Sequence, residues 1–268
     1  AMAIINVLTS DSSSFTLATN NTGIVAPSGI TLSGTISVAA PTAAAGIGAP
    51  RFEKITFTGD VTIDSAGAQV PFFDNCSFNG TLTTASTGNN GILLSECLVQ
   101  GTNDFEGTNI HIAEDCLGFA GTINVASTTT SGQVQFKNWI SIGQTFDFDQ
   151  IMSVFGGSFV NSTFQGTSLV TYYGAIFTNV TFPDNAGANT LGGVFRNCTM
   201  SSGMSFEQSA SGCWEFNNMT LDGVTFTATF SGVATFNNCV DGGGNSNLAG
   251  AGLTDSYGAA MTAGTNPF

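Results

Sequence analysis

The sequence predicts an all-β solenoid, a right-handed, single-stranded parallel β-helix of about ten coils, and three observations support this fold class. A six-residue pattern, apolar-x-Asn-x-Thr-apolar, recurs along most of the chain at intervals of 18 to 23 residues. Within each repeat, Phe, Ile, Val and Thr alternate with polar residues. Gly, Asn, Ser and Asp interrupt the alternation every few residues. This is the chemistry of short strands and turns, and the irregular period suits stacked strands better than helical repeats.

The repeats define three regions of the chain. Their first residues are Phe52, Phe73, Leu94, Ala113, Phe136, Phe159, Phe177, Phe195, Phe216 and Phe236. We therefore predict that residues 49–240 form the parallel β-helix. Residues 1–48, with short strand candidates, are expected to form an irregular cap or attachment segment, and residues 241–268 a Gly-rich tail or arm.

The third pattern position is Asn in seven of the ten repeats. These residues are Asn75, Asn138, Asn161, Asn179, Asn197, Asn218 and Asn238. Asn tolerates the left-handed backbone conformation of a tight turn, and its amide group both donates and accepts hydrogen bonds. We expect one asparagine ladder that joins successive coils and satisfies buried polar groups.

An asparagine ladder at a tight turn resembles that of the right-handed β-helix proteins, the fold of pectate lyases and phage tailspikes. The resemblance covers about residues 50 to 240 and is one of fold. Members of this fold that cut polysaccharides place two or three carboxylates on an exposed strand face, so the resemblance directs attention to carboxylate pairs.

Five of the six cysteines occupy the fourth pattern position. They are Cys76, Cys97, Cys116, Cys198 and Cys239. We expect these side chains to point inward as a column of free thiols, which behave as small buried hydrophobes. Strands of adjacent coils are about 4.8 Å apart, so a disulfide between coils is the alternative. No metal or other cofactor is predicted, because the chain has no CxxC pair and only one histidine, His111.

Charge is scarce and mostly negative. Four basic residues stand against eighteen carboxylates, and the net charge of −14 argues against nucleic-acid binding. No apolar run reaches the roughly 18 residues that a membrane span needs. The first residues have neither the basic segment nor the apolar run of a secretory signal, so we expect synthesis in a host cytoplasm.

Asp147 and Asp149 are the catalytic candidates. They alternate with Phe146 and Phe148, which would place both carboxylates on one strand face about 7 Å apart, a separation seen in inverting glycosidases. The alternative is a solvated strand face whose phenylalanines point inward, and we favour it. A second acidic group, Glu114 and Asp115, follows His111 but lacks a nucleophile, so it is not a catalytic triad.

The composition favours a structural or binding role over catalysis. The best match is a bacteriophage virion protein, because the sequence resembles viral spikes, fibres and capsid decoration proteins at the level of fold and composition. We expect a homotrimer that contacts other virion proteins, and a host surface glycan is a further candidate partner. The alternatives are a polysaccharide-binding or polysaccharide-degrading β-helix of the tailspike kind, which as an enzyme would be a hydrolase or lyase, and an adhesin or ice-binding solenoid.

Overall fold

The structure, a computed structural model, contains β-strands and no helix in the residues that it describes. These are residues 3–6, 10, 14–17, 22–39, 50–64, 70–85, 91–107, 111–126, 134–183, 192–207, 213–226, 233–243, 245 and 253–254. The chain divides into two compact units, Ala1–Trp139 and Ile140–Phe268. Each unit is a stack of short parallel strands.

The first unit contains sixteen strands among its described residues. They are β1 (Ala3–Asn6), β2 (Phe15–Leu17), β3 (Thr22–Leu32), β4 (Ile36–Ala39), β5 (Arg51–Phe57), β6 (Val61–Asp64), β7 (Phe72–Asp74), β8 (Ser77–Phe78), β9 (Leu82–Thr84), β10 (Ile92–Ser95), β11 (Leu98–Gln100), β12 (Asn103–Phe105), β13 (His111–Glu114), β14 (Leu117–Phe119), β15 (Thr122–Val125) and β16 (Val134–Lys137).

The second unit contains seventeen strands in the part of it that is described. They are β17 (Ile140–Ile142), β18 (Thr145–Phe148), β19 (Met152–Phe155), β20 (Ser158–Val160), β21 (Thr163–Gly166), β22 (Leu169–Tyr173), β23 (Ile176–Thr178), β24 (Thr181–Phe182), β25 (Gly192–Arg196), β26 (Thr199–Ser201), β27 (Met204–Phe206), β28 (Cys213–Asn217), β29 (Thr220–Asp222), β30 (Val224–Phe226), β31 (Val233–Asn237), β32 (Val240–Gly243) and β33 (Leu253–Thr254).

A typical coil contains three strands, here called the first, second and third strand, as in β25, β26 and β27. The first corner joins the first strand to the second, and the second corner joins the second strand to the third. Equivalent strands of successive coils pair in parallel, as β7, β10 and β13 do in the first unit and β22, β25 and β28 in the second. The predicted β-solenoid of stacked parallel strands is confirmed, although the coil count differs slightly from ten.

Stacked phenylalanines fill the interior of both units. In the first unit, Phe52 lies flat on Phe73 with ring centroids 4.5 Å apart. In the second unit, the third strands carry a continuous column whose successive centroids are 4.7 to 5.4 Å apart. The column consists of Phe146, Phe164, Phe182, Phe206 and Phe226. Each of these buried rings contributes roughly 1.5 to 3 kcal/mol through the apolar surface removed from water.

The corners are set by residues with positive φ. In the first unit, the first-corner residues have φ between 50° and 59° and are Lys54, Asn75, Glu96, Asp115 and Asn138. In the second unit, the first corner holds Gly156, Gly174, Asn197, Asn218 and Asn238. The left-handed conformation costs most side chains about 1 to 2 kcal/mol, and Gly and Asn bear it most easily. This explains why Asn recurs in the sequence pattern.

The single asparagine ladder predicted from the sequence is wrong, because Asn161 and Asn179 lie at the second corner. They follow the second strands β20 and β23, whose Phe159 and Phe177 are partners in register. The remaining five, Asn75, Asn138, Asn197, Asn218 and Asn238, follow first strands. The same six-residue pattern therefore occurs at both corners. It lies at the second corner in the repeats that begin at Phe159 and Phe177, and at the first corner in the other repeats.

The hydrogen bonds of these asparagines run between coils at the surface. The Asn179 side chain donates to Oδ1 of Asn161 at 2.7 Å, and that of Asn238 donates to Oδ1 of Asn218 at 2.8 Å. All four side chains are exposed. The expectation that the ladder satisfies buried polar groups is therefore also wrong. An additional amide pair that the sequence analysis missed joins Asn237 to Asn217 at 3.0 Å on the outer face of the first strands.

Coil-like pairing extends into the predicted terminal regions. In residues 1–48, β1 pairs with β3 and β2 pairs with β4, each in parallel. In residues 241–268, β33 pairs with β31, and the side chain of Asn245 hydrogen-bonds to the corner between β29 and β30. Most of the predicted Gly-rich tail lies outside the described residues.

Candidate functional site

The two catalytic candidates lie on the outer side of a third strand, Asp147 within β18 and Asp149 directly after its end. Phe146 and Phe148 of β18 are fully buried, which leaves Asp147 and Asp149 on the opposite, partly exposed side. Nε2 of Gln165 donates to Asp147 at 2.9 Å. Both carboxylates are therefore placed on one face, as the alternation of the sequence predicts.

Asp149 is bound still more closely by the next coil. Thr167 donates to the same Oδ1 atom of Asp149 twice, from its backbone N at 3.1 Å and from its hydroxyl at 2.9 Å. Asp147 and Asp149 are thus each held by a side chain one coil away. Their geometry is that of cross-links between coils, and a water or a glycosidic oxygen would have to compete with these partners.

His111 does not form a cluster with Glu114 and Asp115. The imidazole points into the core, in register between Ile92 and Val134, and burial lowers its pKa to about 4. Glu114 and Asp115 are exposed on the other side of the chain. The ring is therefore neutral near pH 7 and behaves as a core side chain, so the acid and imidazole group suggested by sequence proximity is wrong.

The three pattern cysteines of the first unit are buried thiols. Cys76, Cys97 and Cys116 each follow a first-corner residue, and their Sγ atoms donate to the carbonyl two residues earlier at 3.2 to 3.4 Å. The hydrogen bond to the neighbouring thiol, followed by burial, raises the pKa of Cys76. For Cys97 the bond to Cys116 is the main cause of a raised pKa. Such thiols stay protonated and are weak nucleophiles.

Cys198 and Cys239 occupy the equivalent positions in the second unit. Cys198 is buried and Cys239 is half-buried, and burial raises the pKa of both thiols. They are two coils apart, because Met219 fills this position in the coil between them. The thiols of the five pattern cysteines are free. Among the described residues no group of three or more His, Cys, Asp or Glu side chains could hold a metal ion.

A groove of about 500 Å³ lies along the first corner of the first unit. It is lined by Gly29, Lys54, Ile55, Thr56, Asn75, Cys76, Ser77, Glu96 and Leu98. Lys54, Asn75 and Glu96 are successive corner residues, so an ammonium, an amide and a carboxylate follow one another along the groove. The sequence analysis missed it, although the departures from Asn at positions 54 and 96 were a signal.

Two ion pairs of the first unit lie next to this groove. Arg51 contacts Asp74 at 2.6 Å, and Lys54 contacts Glu53 at 3.5 Å. All four side chains are between a quarter and a half exposed. Such pairs contribute at most about 1 kcal/mol each, so the Lys54 ammonium is a weakly held group that a ligand could recruit.

An aromatic stack lies on the first strands of the second unit and also escaped the sequence analysis. Phe155 and Tyr173 are parallel, with ring centroids 5.1 Å apart, and the Arg196 guanidinium lies 5.7 Å from the centre of the Tyr173 ring. Phe155 and Tyr173 therefore cover each other, and the guanidinium covers the other face of Tyr173. A sugar ring binds to a free aromatic face, and this arrangement leaves little of one on Tyr173.

Comparison of the chain with protein-family models, with curated proteins and with solved structures gave no match. In the part of the chain that is described, no helix is long and apolar enough to cross a membrane.

Proposed function

We propose that the chain is a non-catalytic structural component of a bacteriophage particle, a capsid decoration, spike or fibre protein that is made in the host cytoplasm and contacts other virion proteins. The observation that carries this proposal is that polar side chains are used to join coils. Asp147, Asp149, Asn179 and Asn238 each bind a side chain one coil away.

Stacked coils of this kind suit a protein that must persist outside a cell. Within each unit, backbone hydrogen bonds connect the described strands of successive coils, and the phenylalanine columns remove large apolar surfaces from water. Opening one coil exposes the faces of both neighbours, so local unfolding is costly. A decoration or spike protein needs this durability more than it needs an active centre.

Quantitative mass spectrometry of phage particles tests the proposal. Particles that carry the gene for this chain are purified on a density gradient, and the amount of the chain is measured relative to the major capsid protein. We expect a fixed ratio across preparations. Absence of the chain from purified particles, or a ratio that varies with washing, would overturn the proposal.

Polysaccharide binding is the second candidate, and the groove at Lys54, Asn75 and Glu96 favours it. The three corner residues offer hydrogen-bond donors and acceptors along a line, one per coil at a strand spacing of about 4.8 Å, which suits an extended polar chain. Calorimetric titration with host surface polysaccharide tests this function. Asn75→Ala should abolish the binding signal, whereas Asn218→Ala, at the first corner of the second unit, should not.

The hydrolase or lyase alternative is tested in the same samples. An enzyme releases reducing ends or unsaturated sugars from the polysaccharide, and Asp149→Asn should stop the release. Binding without release supports a glycan-binding protein. If neither binding nor release is observed, the virion proposal is the one that remains.

A further inference from the structure

The large apolar side chains that are exposed among the described residues all lie in the second unit. They are Ile140, Ile142, Ile151, Phe155, Leu169, Ile176 and Val240. Six of them fall between residues 140 and 176, and each of these six is between 37% and 47% exposed. Monomeric proteins scatter such residues singly, so their concentration in a few adjacent coils indicates a contact surface.

These residues form two faces that meet at the first corner. Ile140 and Ile176 lie on the second strands, in one register column with Ser158 between them. Phe155 lies on a first strand beside Tyr173, and Leu169 begins the same strand as Tyr173. We call the two faces together the apolar corner, defined by Ile140, Ile142, Ile151, Phe155, Leu169 and Ile176.

The corner between the two faces is glycine where other coils of the unit have asparagine. Gly156 and Gly174 have φ of 66° and 63°, close to the 53° of Asn197 and Asn218, so the backbone does not require glycine. A Cβ atom added at Gly174 would have no other atom within 4 Å. The fold therefore leaves room for a side chain there, and its absence permits another backbone or side chain to approach closely.

Four of the six residues of the apolar corner, those from Ile151 to Ile176, lie in an uncharged stretch of the chain. No residue from 150 to 183 is charged, whereas the whole chain carries a net charge of −14. Two copies of such an acidic chain repel each other over most of their surfaces, and an uncharged face is where they can meet at least cost. The guanidinium of Arg196 marks the end of the uncharged region on the first strands.

We propose that the apolar corner is the interface of a trimer of this chain, in which the first-strand face of one copy packs on the second-strand face of the next. The corner encloses the core and is therefore convex, so a two-fold pair could cover only one of the two faces. A head-to-tail contact between different faces forms a ring when the rotation from copy to copy closes, and three copies make the smallest such ring. Gly156 and Gly174 then lie nearest the symmetry axis.

The trimer stands on this geometry independently of the virion proposal. Sedimentation equilibrium of the full chain at micromolar concentration should give the mass of three copies. Ile176→Asp buries a charge in the interface and should raise the dissociation constant by about 100-fold or more. Gly174→Asn should dissociate the trimer as well, because asparagine suits the backbone but fills the space at the axis. Thr181→Asp adds the same charge to a third strand and should leave the trimer intact.

Circular dichroism and urea unfolding establish that each variant is folded. A monomer or dimer of the native chain at all concentrations overturns the proposal. So does a trimer that survives both Ile176→Asp and Gly174→Asn, or one that Thr181→Asp dissociates to the same extent. A monomer that instead binds lipid vesicles or a different protein through Ile176 would assign the apolar corner to that partner and refute self-association.

Discussion

The buried imidazole of His111 makes the stability of the protein depend on pH in a defined window. Its ring lies in the core between Ile92 and Val134 and 5.9 Å from the Phe105 ring, and burial lowers its pKa from 6.5 to about 4. In the unfolded chain the imidazole takes up a proton near pH 6.5, whereas in the folded chain it does so only near pH 4. Stability is therefore lost as the pH falls from 6.5 toward 4.

The magnitude follows from the size of the shift. A difference of about 2.5 pKa units corresponds to a loss of about 3 kcal/mol in the free energy of unfolding between pH 7 and pH 4. His111→Leu removes this contribution. We expect the free energy of unfolding of the variant, minus that of the native chain, to rise by about 3 kcal/mol over the same pH range.

Urea unfolding at pH 7, 5.5, 4.5 and 4, followed by tryptophan fluorescence, measures this difference. The surface carboxylates titrate in both proteins, so their contribution cancels. Ile92→Val, a small change in the neighbouring coil, is the matched control and should give a difference that does not vary with pH. Curves for His111→Leu and the native chain that stay parallel within 1 kcal/mol would refute the reasoning.

Three further outcomes are expected. Phe206→Ala opens a cavity in the column between Phe182 and Phe226 and should lower the free energy of unfolding by about 3 to 5 kcal/mol in urea titrations. Asn218→Ala should cost about 1 to 2 kcal/mol more than Asn218→Gly, because alanine suffers in the left-handed conformation. Cys97 should resist iodoacetamide in the folded chain and react after unfolding, as peptide mass mapping would show.

For each of these three expectations, the same measurement can give a result that contradicts it. A loss below 1 kcal/mol for Phe206→Ala would mean that the ring column is not packed as the structure has it. Equal stabilities of Asn218→Ala and Asn218→Gly would remove the conformational argument for asparagine at the corners. Labelling of Cys97 in the folded chain at the rate of the unfolded one would show that the thiol is accessible.

The fold could be predicted because its repeat consists of residue types that strongly favour short strands and left-handed turns. Alternation around each phenylalanine determines which side chains point inward, and Phe146 and Phe148 are buried as that alternation requires. Positive φ occurs at each of the seven pattern asparagines, which is the property that the amide side chain tolerates. Local chemistry of this kind is visible in a single sequence.

The assignment of asparagines to columns could not be predicted, because it depends on which coil position the pattern occupies. The spacing from Phe136 to Phe159 is 23 residues and from Phe159 to Phe177 is 18, and both values fit within one variable repeat. Only the pairing of strands shows that Asn161 belongs to the second corner. Motif spacing alone does not distinguish two corners that have the same backbone requirement.

The surfaces were still harder to predict, since they combine residues from several coils. Lys54 and Glu96 lie 42 positions apart and contribute to one groove, and Ile140 and Ile176 lie 36 apart on one face. These residues form surfaces because their side chains point outward, at positions where the repeat normally has uncharged polar residues. Exceptions to the polar exterior become informative only when the stacking order is known.

The side chain of Asn245 holds two backbone groups at the corner between β29 and β30. Its Oδ1 atom accepts the backbone N–H of Val224, and its Nδ2 atom donates to the carbonyl of Leu221, both at 2.9 Å. One amide thus takes the place of a backbone partner for both groups, and neither is left without a hydrogen bond. Asn245→Ala removes both bonds and should lower the free energy of unfolding by about 1 to 3 kcal/mol in urea titrations.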